Sequence, residues 1–345
     1  MEKIKIAIVG ATGYTGSELF RILYNHPDVS IVAMTSNSQA GKSFADVQKQ
    51  FSGIPAPVLI PHDEVQQYHP DVVFLALPHG ISMKYVQQWQ EAAFKIIDLS
   101  GDFRLSAPEV YTRWYHKEHC FPEGFRHAVY GLPELHREAI KTTKLVANPG
   151  CFTSTSILGL APLMAHQVVV PQSIIIDGKT GVTGAGAQAK PNTHFPVVNE
   201  NFTAYGIKNH RHTIEIEEQS SFLYQKEVRV QFTPHLLPVD RGILATIYAR
   251  PLSGTSQAAL QDLYREFYKN DSFVRVVNTL PTLKGVRGTN FCDIYVDFDE
   301  RTGNILVFAA LDNLVKGAAG VAVQNMNLLS GLPETTGLLS LPLQP

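Results

Sequence analysis

Short apolar runs alternate along the chain with amphipathic stretches, and that alternation predicts an α/β protein. Ile4–Val9 is nearly continuous in apolar side chains, as a strand buried on both faces requires. Residues 17–23 follow, with Leu19, Ile22 and Leu23 on one helical face. Residues 29–34, 71–77, 95–99 and 145–147 repeat the strand pattern, residues 81–93 read as a helix, and 106–135 read as an irregular, aromatic-rich excursion. Further on, strands are expected at 173–177, 227–232, 242–248, 292–298 and 305–310. Helices are expected at 153–166, 211–222 and 256–269, with a last one from Asp312 to about Leu329.

The breaks between these elements carry the chemistry. Gly10-Ala11-Thr12-Gly13-Tyr14-Thr15-Gly16 lies between the first strand and its helix. Glycines there allow a tight turn and the close approach of a pyrophosphate, which then rests on the helix N-terminus. The alternative is a tight turn with no ligand. The second strand ends in Thr35-Ser36-Asn37-Ser38-Gln39-Ala40-Gly41-Lys42, without the acid that holds a ribose 2′-hydroxyl in NAD sites. Ser36, Ser38 and a lysine suit a 2′-phosphate, so the expected cofactor is NADP(H). Leu77 and Pro78 fall at a strand's carboxyl end, where open α/β sheets bind ligands.

The stretch Asn148-Pro149-Gly150-Cys151-Phe152-Thr153 places a cysteine after a Pro-Gly break at the start of a helix. Amide groups and the positive end of the helix dipole favour a thiolate there; the alternative is a small buried residue in a turn. Downstream, His210-Arg211-His212 precedes Glu215. His212 is the expected acid/base partner of the thiolate, and Glu215, three residues on, would orient its imidazole. His210 is expected to contact substrate. Arg104 follows a strand end and suits phosphate or carboxylate, the alternative being a surface salt bridge. Residues 178–186 read as a flexible loop closing over nicotinamide or substrate. His235 and Arg241, between two strands, are secondary substrate contacts. Asn313 either caps the last helix or binds the nicotinamide amide.

Bulk properties narrow the class. The 345 residues suffice for two domains, and 44% hydrophobic with 17% charged residues describes a folded chain. A net charge of −2 gives no electrostatic footprint for nucleic acid, and no apolar run approaches a membrane span. The N-terminus passes straight into a strand without a signal peptide. Cys120, Cys151 and Cys292 have neither disulfide nor zinc spacing. The expectation is a cytoplasmic enzyme with a small-molecule substrate, no metal, no nucleic acid and no membrane.

With Gly10–Gly16, Asn148-Pro-Gly-Cys151-Phe, Gly178-Lys-Thr-Gly-Val-Thr-Gly-Ala-Gly186, His210-Arg-His212 and Asn313-Leu-Val-Lys-Gly317, the chain resembles the N-acetyl-gamma-glutamyl-phosphate reductases of arginine biosynthesis over essentially its whole length. One departure is Ile214, where that family often has proline. The resemblance places the chain with aspartate-semialdehyde dehydrogenase-like proteins. It implies a Rossmann domain over 1–148, completed by a C-terminal helix within 313–345, and an α/β catalytic and oligomerisation domain with a mixed sheet over 149–312. It also implies reduction of an acyl phosphate by NADPH through a thioester on Cys151, and a homo-oligomer, dimer or tetramer. Arg104 and Asn148 would then lie near the phosphate. Tyr205, Lys208, His210 and Arg241 would lie near the acetamido-carboxylate end, and Gly181 and Asn313 near the cofactor. Open alternatives are an aminoadipyl or aspartyl phosphate substrate, or a non-catalytic NADP-binding redox sensor switching at Cys151.

Overall fold

The computed structural model describes residues 2–343. The chain divides into two compact units. The first holds residues 2–149 and 318–339; the second holds Gly150–Gly317 and residues 340–343. Residues 313–317 and 340–343, expected with the nucleotide domain, therefore fall in the second unit.

The first unit is built on seven parallel strands: β1 (Ile4–Val9), β2 (Val29–Thr35), β3 (Leu59–Ile60), β4 (Val72–Leu75), β5 (Lys95–Asp98), β6 (Ala128–Tyr130) and β7 (Leu145–Ala147). Their order is β3-β2-β1-β4-β5-β7-β6. The order reverses between β1 and β4, and ligands of open α/β sheets bind at the carboxyl ends beside such a switch. The helix Gly320–Leu329, buried along its length, packs on the helices Pro133–Thr142 and Tyr14–Tyr24 and on β5.

The excursion at 106–135 is more regular than its aromatic content suggests. It contains the helix Pro108–Tyr115, strand β6 and the start of a helix at Pro133. Proline at a first helical position presets φ without losing a bond, and Tyr111 and Tyr115, four apart, stack at 4.4 Å. The helix expected at 81–93 is shorter, Ser82–Gln88.

The second unit carries a mixed sheet: β8 (Ile174–Gly181), β9 (Thr203–Ala204), β10 (Val230–Leu237), β11 (Ile243–Ala249), β12 (Val274–Val276), β13 (Cys292–Asp299) and β14 (Asn304–Leu311). The order is β12-β13-β14-β11-β8-β10-β9, with β8–β10 and β12–β13 parallel and the other neighbours antiparallel. Two expected connections are strand instead. β8 continues through Gly178-Lys179-Thr180-Gly181, and β10 continues through Thr233-Pro234-His235-Leu236-Leu237. At Gly178 an added Cβ would meet the Phe152 ring at 2.7 Å, so glycine serves close packing there rather than flexibility.

The helix Cys151–Ala165 is apolar on all sides and packs on β11, β14 and the helix His212–Tyr224. Such a helix belongs in a core. Pro162 removes an amide that would bond the Leu158 carbonyl. Tyr268, following the helix Gln257–Phe267, donates its hydroxyl to Leu158 O at 2.5 Å, and Tyr264 donates to Gly159 O at 2.6 Å. The proline defect in the cysteine's own helix is thereby satisfied by side chains.

Candidate active site

Cys151 is the first residue of its helix and Gly150 is the N-cap, with φ −73° and ψ 155°. The cysteine is partly buried, and neither it nor Cys120 nor Cys292 is in a disulfide. First-turn amides of a helix have no partner within it, so they and the helix dipole face whatever group lies at the cysteine. Thr153 donates its hydroxyl to Gly150 O at 2.6 Å and to Glu215 Oε1 at 2.8 Å. The same Glu215 oxygen accepts the Gly150 amide at 3.0 Å. Glu215 is almost fully buried. This carboxylate oxygen clamps the start of the cysteine helix, a role beyond the orientation of His212 expected from the sequence. Placement three residues after His212 gave no sign of that long-range partner.

His212 opens the helix His212–Tyr224, and its imidazole lies directly against Gly150. A Cβ added at Gly150 would fall 2.8 Å from both Cδ2 and Cε1 of His212. On the other side, a Cβ at Gly317 would come within 2.9 Å of Cys151 Cβ. Glycines on both sides thus let His212 and the backbone at Gly317 close on the cysteine.

His210 sits 4.8 Å from His212, 5.6 Å from Tyr205 and 5.9 Å from Phe152, ring to ring. Its Nδ1 accepts the His212 amide at 3.2 Å, which leaves its proton on Nε2. Burial, with Arg211 beside it, pushes His210 down to about 4. It is therefore a neutral hydrogen-bond donor at neutral pH. Burial and the nearby Cys151 push the Tyr205 hydroxyl up, so it also keeps its proton. The sequence motif thus joins Cys151, His212, His210 and Tyr205 in one cluster. Lys208 is exposed, with φ +69°.

Arg241 and Asn313 are tied differently from the sequence expectation. Buried Asp312 accepts Arg241 Nε at 3.2 Å and Nη2 at 3.1 Å, and also accepts the amides of Gly288, Leu314 and Val315. Asp312 was missed because its partners are far apart in sequence. Asn313 does not cap the last helix: Oδ1 accepts the Gly242 amide at 2.7 Å and Nδ2 donates to Thr183 at 3.0 Å. Gly181 lies in β8 against the backbone of Asp240 and Arg241. His235 is in β10, its Nδ1 2.9 Å from Asp177.

In the first unit, Gly10 has φ +84°, a conformation that L side chains rarely adopt, and its Cβ would meet Ala76 O at 2.5 Å and Leu77 Cδ2 at 3.0 Å. At Gly16 a Cβ would fall 2.5 Å from Gly10 O, so the helix packs tightly on the turn. At Gly13, the N-cap, a Cβ would find only Gly10 O, at 3.9 Å. This is a tight turn with open space at a helix N-terminus, and Tyr14 and Thr15 begin that helix. It fits a dinucleotide pyrophosphate. Thr12, Ser36 and Ser38 hydroxyls link at 3.3 and 3.4 Å beside it. Pro78 begins a turn held by buried Asp102, which accepts the amides of Gly80 and Met83. Arg104 is buried, with Nε on Asn148 O at 2.6 Å and Nη2 on Leu99 O at 2.8 Å. Asn148 is also buried, donating to Ala318 O and accepting from Asn325. Both residues, expected at the substrate phosphate, make internal bonds at the ends of β5 and β7.

Comparison with known proteins agrees with this architecture. Residues 5–143 match the semialdehyde dehydrogenase NAD binding domain and residues 151–313 the semialdehyde dehydrogenase dimerisation domain. N-acetyl-gamma-glutamyl-phosphate reductase of Geotalea daltonii is 47% identical over 99% of this chain and 100% of its own length. That of Pelobacter propionicus is 48% identical over the same shares. Among solved structures, aspartate semialdehyde dehydrogenase II of Vibrio cholerae superposes with a TM-score of 0.74 at 18% identity, over 96% of this chain and 99% of that one. The Candida albicans enzyme with NADP gives 0.70 at 16%, over 95% and 98%. These two likenesses concern the fold alone. With near-complete coverage at 47–48% identity, the chain belongs to the N-acetyl-gamma-glutamyl-phosphate reductase family.

Proposed function

We propose that this chain reduces N-acetyl-γ-glutamyl phosphate to N-acetylglutamate 5-semialdehyde with NADPH, releasing phosphate, as a step of arginine biosynthesis. The observation that carries the reading is the closure of His212 on Gly150, immediately before a cysteine at a helix N-terminus. Membership of the reductase family supplies the substrate class.

In this reading Cys151 Sγ attacks the acyl carbon, forming a C–S bond as the C–O bond to phosphate breaks. Bound NADPH supplies the hydride that the thioester carbon accepts. His212 gives a proton to the carbonyl oxygen as negative charge builds there, and takes it back when the C–S bond breaks and the aldehyde leaves. First-turn amides of the cysteine helix donate to that oxygen. Neutral His210 and protonated Tyr205 offer N–H and O–H donors, with Lys208 and Arg241, to the acetamido-carboxylate end. Arg104 and Asn148 shape the phosphate end through the strand ends they brace. Gly10, Thr12, Gly13, Tyr14, Thr15, Gly16, Ser36, Ser38, Leu77 and Pro78 hold NADPH, with Gly181 and Asn313 supporting the nicotinamide side.

The partner is a second copy of the chain, as dimer or tetramer, in keeping with the match to a dimerisation domain. No described helix is long and apolar enough to cross a membrane, and the reading places the enzyme in the cytoplasm.

Steady-state kinetics with glutamyl, aminoadipyl and aspartyl phosphates test the assignment. A preference for the longer or shorter chain sinks the glutamyl reading. Phosphate-dependent reduction of NADP⁺ by the semialdehyde separates an enzyme from a redox sensor, and full turnover in Cys151→Ser defeats the thioester route.

A further inference from the structure

The nucleotide turn of the first unit is backed by a histidine that no step above uses. The Gly10 amide donates to Thr35 Oγ1 at 3.3 Å. Thr35 is fully buried, and its Oγ1 lies 2.5 Å from Nδ1 of His62, itself 9% exposed. A buried hydroxyl proton without an acceptor costs about 1–3 kcal/mol. The arrangement that gives the buried Thr35 proton an acceptor is Gly10 N–H to Thr35 Oγ, then Thr35 O–H to His62 Nδ1, with the imidazole proton on Nε2. The His62 amide in turn donates to Asn37 Oδ1 at 2.9 Å. Asn37 lies between Ser36 and Ser38, whose hydroxyls link to Thr12. The Ser36 amide donates to Ile60 O at 3.1 Å, so the same segment holds the loop twice.

We propose that the His62 side chain is a positioning group of the cofactor site: through Thr35 it fixes the Gly10 amide of the pyrophosphate turn, while the backbone amide of the same residue holds Asn37 of the hydroxyl loop whatever side chain stands at 62. It touches no cofactor atom itself. Its effect is to hold the pyrophosphate turn in place from behind. Losing the imidazole disturbs cofactor binding more than chemistry at Cys151. The inference rests on the NADPH reading above.

The test is His62→Leu, which fills similar volume without an acceptor, beside His62→Asn, whose Oδ1 takes the place of Nδ1. For His62→Leu the KM for NADPH rises about tenfold, kcat stays within about twofold, and the NADPH-over-NADH preference in kcat/KM is kept, because the Asn37 bond is made by the backbone; such a change corresponds to one lost hydrogen bond. His62→Asn restores the NADPH KM to within about threefold of the parent. Should His62→Leu fail to fold, the isosteric Thr35→Val breaks the same chain and is expected to give the same KM shift. An unchanged NADPH KM in the folded variant, or equal losses in His62→Leu and His62→Asn, overturns the proposal. A parent enzyme that uses NADH as well as NADPH refutes the cofactor reading instead, so the two failures are distinct.

Discussion

The His212 imidazole rests on the Cα of Gly150, and a methyl group at that position would fall 2.8 Å from its Cδ2 and Cε1. The φ of −73° at Gly150 is open to any residue, so backbone strain has no part in the requirement for glycine. Gly150→Ala is therefore expected to displace the imidazole while leaving the chain folded. Losing a positioned acid/base group costs about 10²–10⁴-fold. We expect kcat to fall by about 10²-fold or more, with the melting temperature within a few degrees of the parent. A kcat within threefold would show that His212 tolerates displacement and is not the proton partner.

Glu215 gives a second prediction. Its Oε1 accepts the Gly150 amide and the Thr153 hydroxyl at the start of the cysteine helix. Glu215→Ala removes the acceptor of the buried Gly150 amide, while the Thr153 hydroxyl keeps Gly150 O, and is expected to destabilise the protein by about 1–3 kcal/mol, as well as lowering kcat. Glu215→Gln keeps an acceptor oxygen and should lose less on both measures. Chemical denaturation of the two variants checks the stability order, and equal losses would assign the effect to charge.

Tyr268→Phe addresses the helix that begins at Cys151. The hydroxyl satisfies the Leu158 carbonyl, which Pro162 leaves without its helical donor. Removing it buries an unpaired carbonyl, at about 1–3 kcal/mol. Urea unfolding should show a lower midpoint with an unchanged slope, and kcat should be nearly unaffected because the defect lies toward the far end of the helix from Cys151. A midpoint equal to the parent's would mean that another donor serves Leu158.

Much of this was legible in the sequence because the signals are local. Apolar runs marked β1, β2, β4, β5 and β7, and glycine spacing marked the nucleotide turn. A cysteine after Pro-Gly marked the start of the helix Cys151–Ala165. Glycine and proline also misled. Gly178 and Pro234 looked like breaks, although Asp177, Lys179 and His235 alternate with more deeply buried neighbours as strand residues do. In both strands a residue that usually ends elements serves packing instead. What stayed hidden was long-range: Asp102 on the turn after β4, Asp312 on Arg241, and Glu215 on Gly150. No local spacing announces a carboxylate that also binds groups so far along the chain.

Two buried groups titrate in opposite senses, which gives a pH prediction. His210 is pushed from an ordinary 6.5 down to about 4 by burial and Arg211. Between those values the unfolded chain binds a proton that the native chain does not, so this group makes stability fall as pH falls through that window, by about 3 kcal/mol at most. Asp98, buried and beside Asp102, is pushed from 3.8 up to about 7. There the native chain holds the extra proton, so this group makes stability fall as pH rises through the window. The parent's net slope between pH 4 and pH 7 is thus a difference of two terms, and single variants separate them. His210→Asn should gain stability relative to the parent at pH 5 compared with pH 8, and Asp98→Asn should gain relative to the parent at pH 8 compared with pH 5. Melting temperatures across pH 4.5–8.5 read both effects. A stability difference between His210→Asn and the parent that is the same at pH 5 and pH 8 would show that His210 titrates normally and is not the neutral donor assigned to it here.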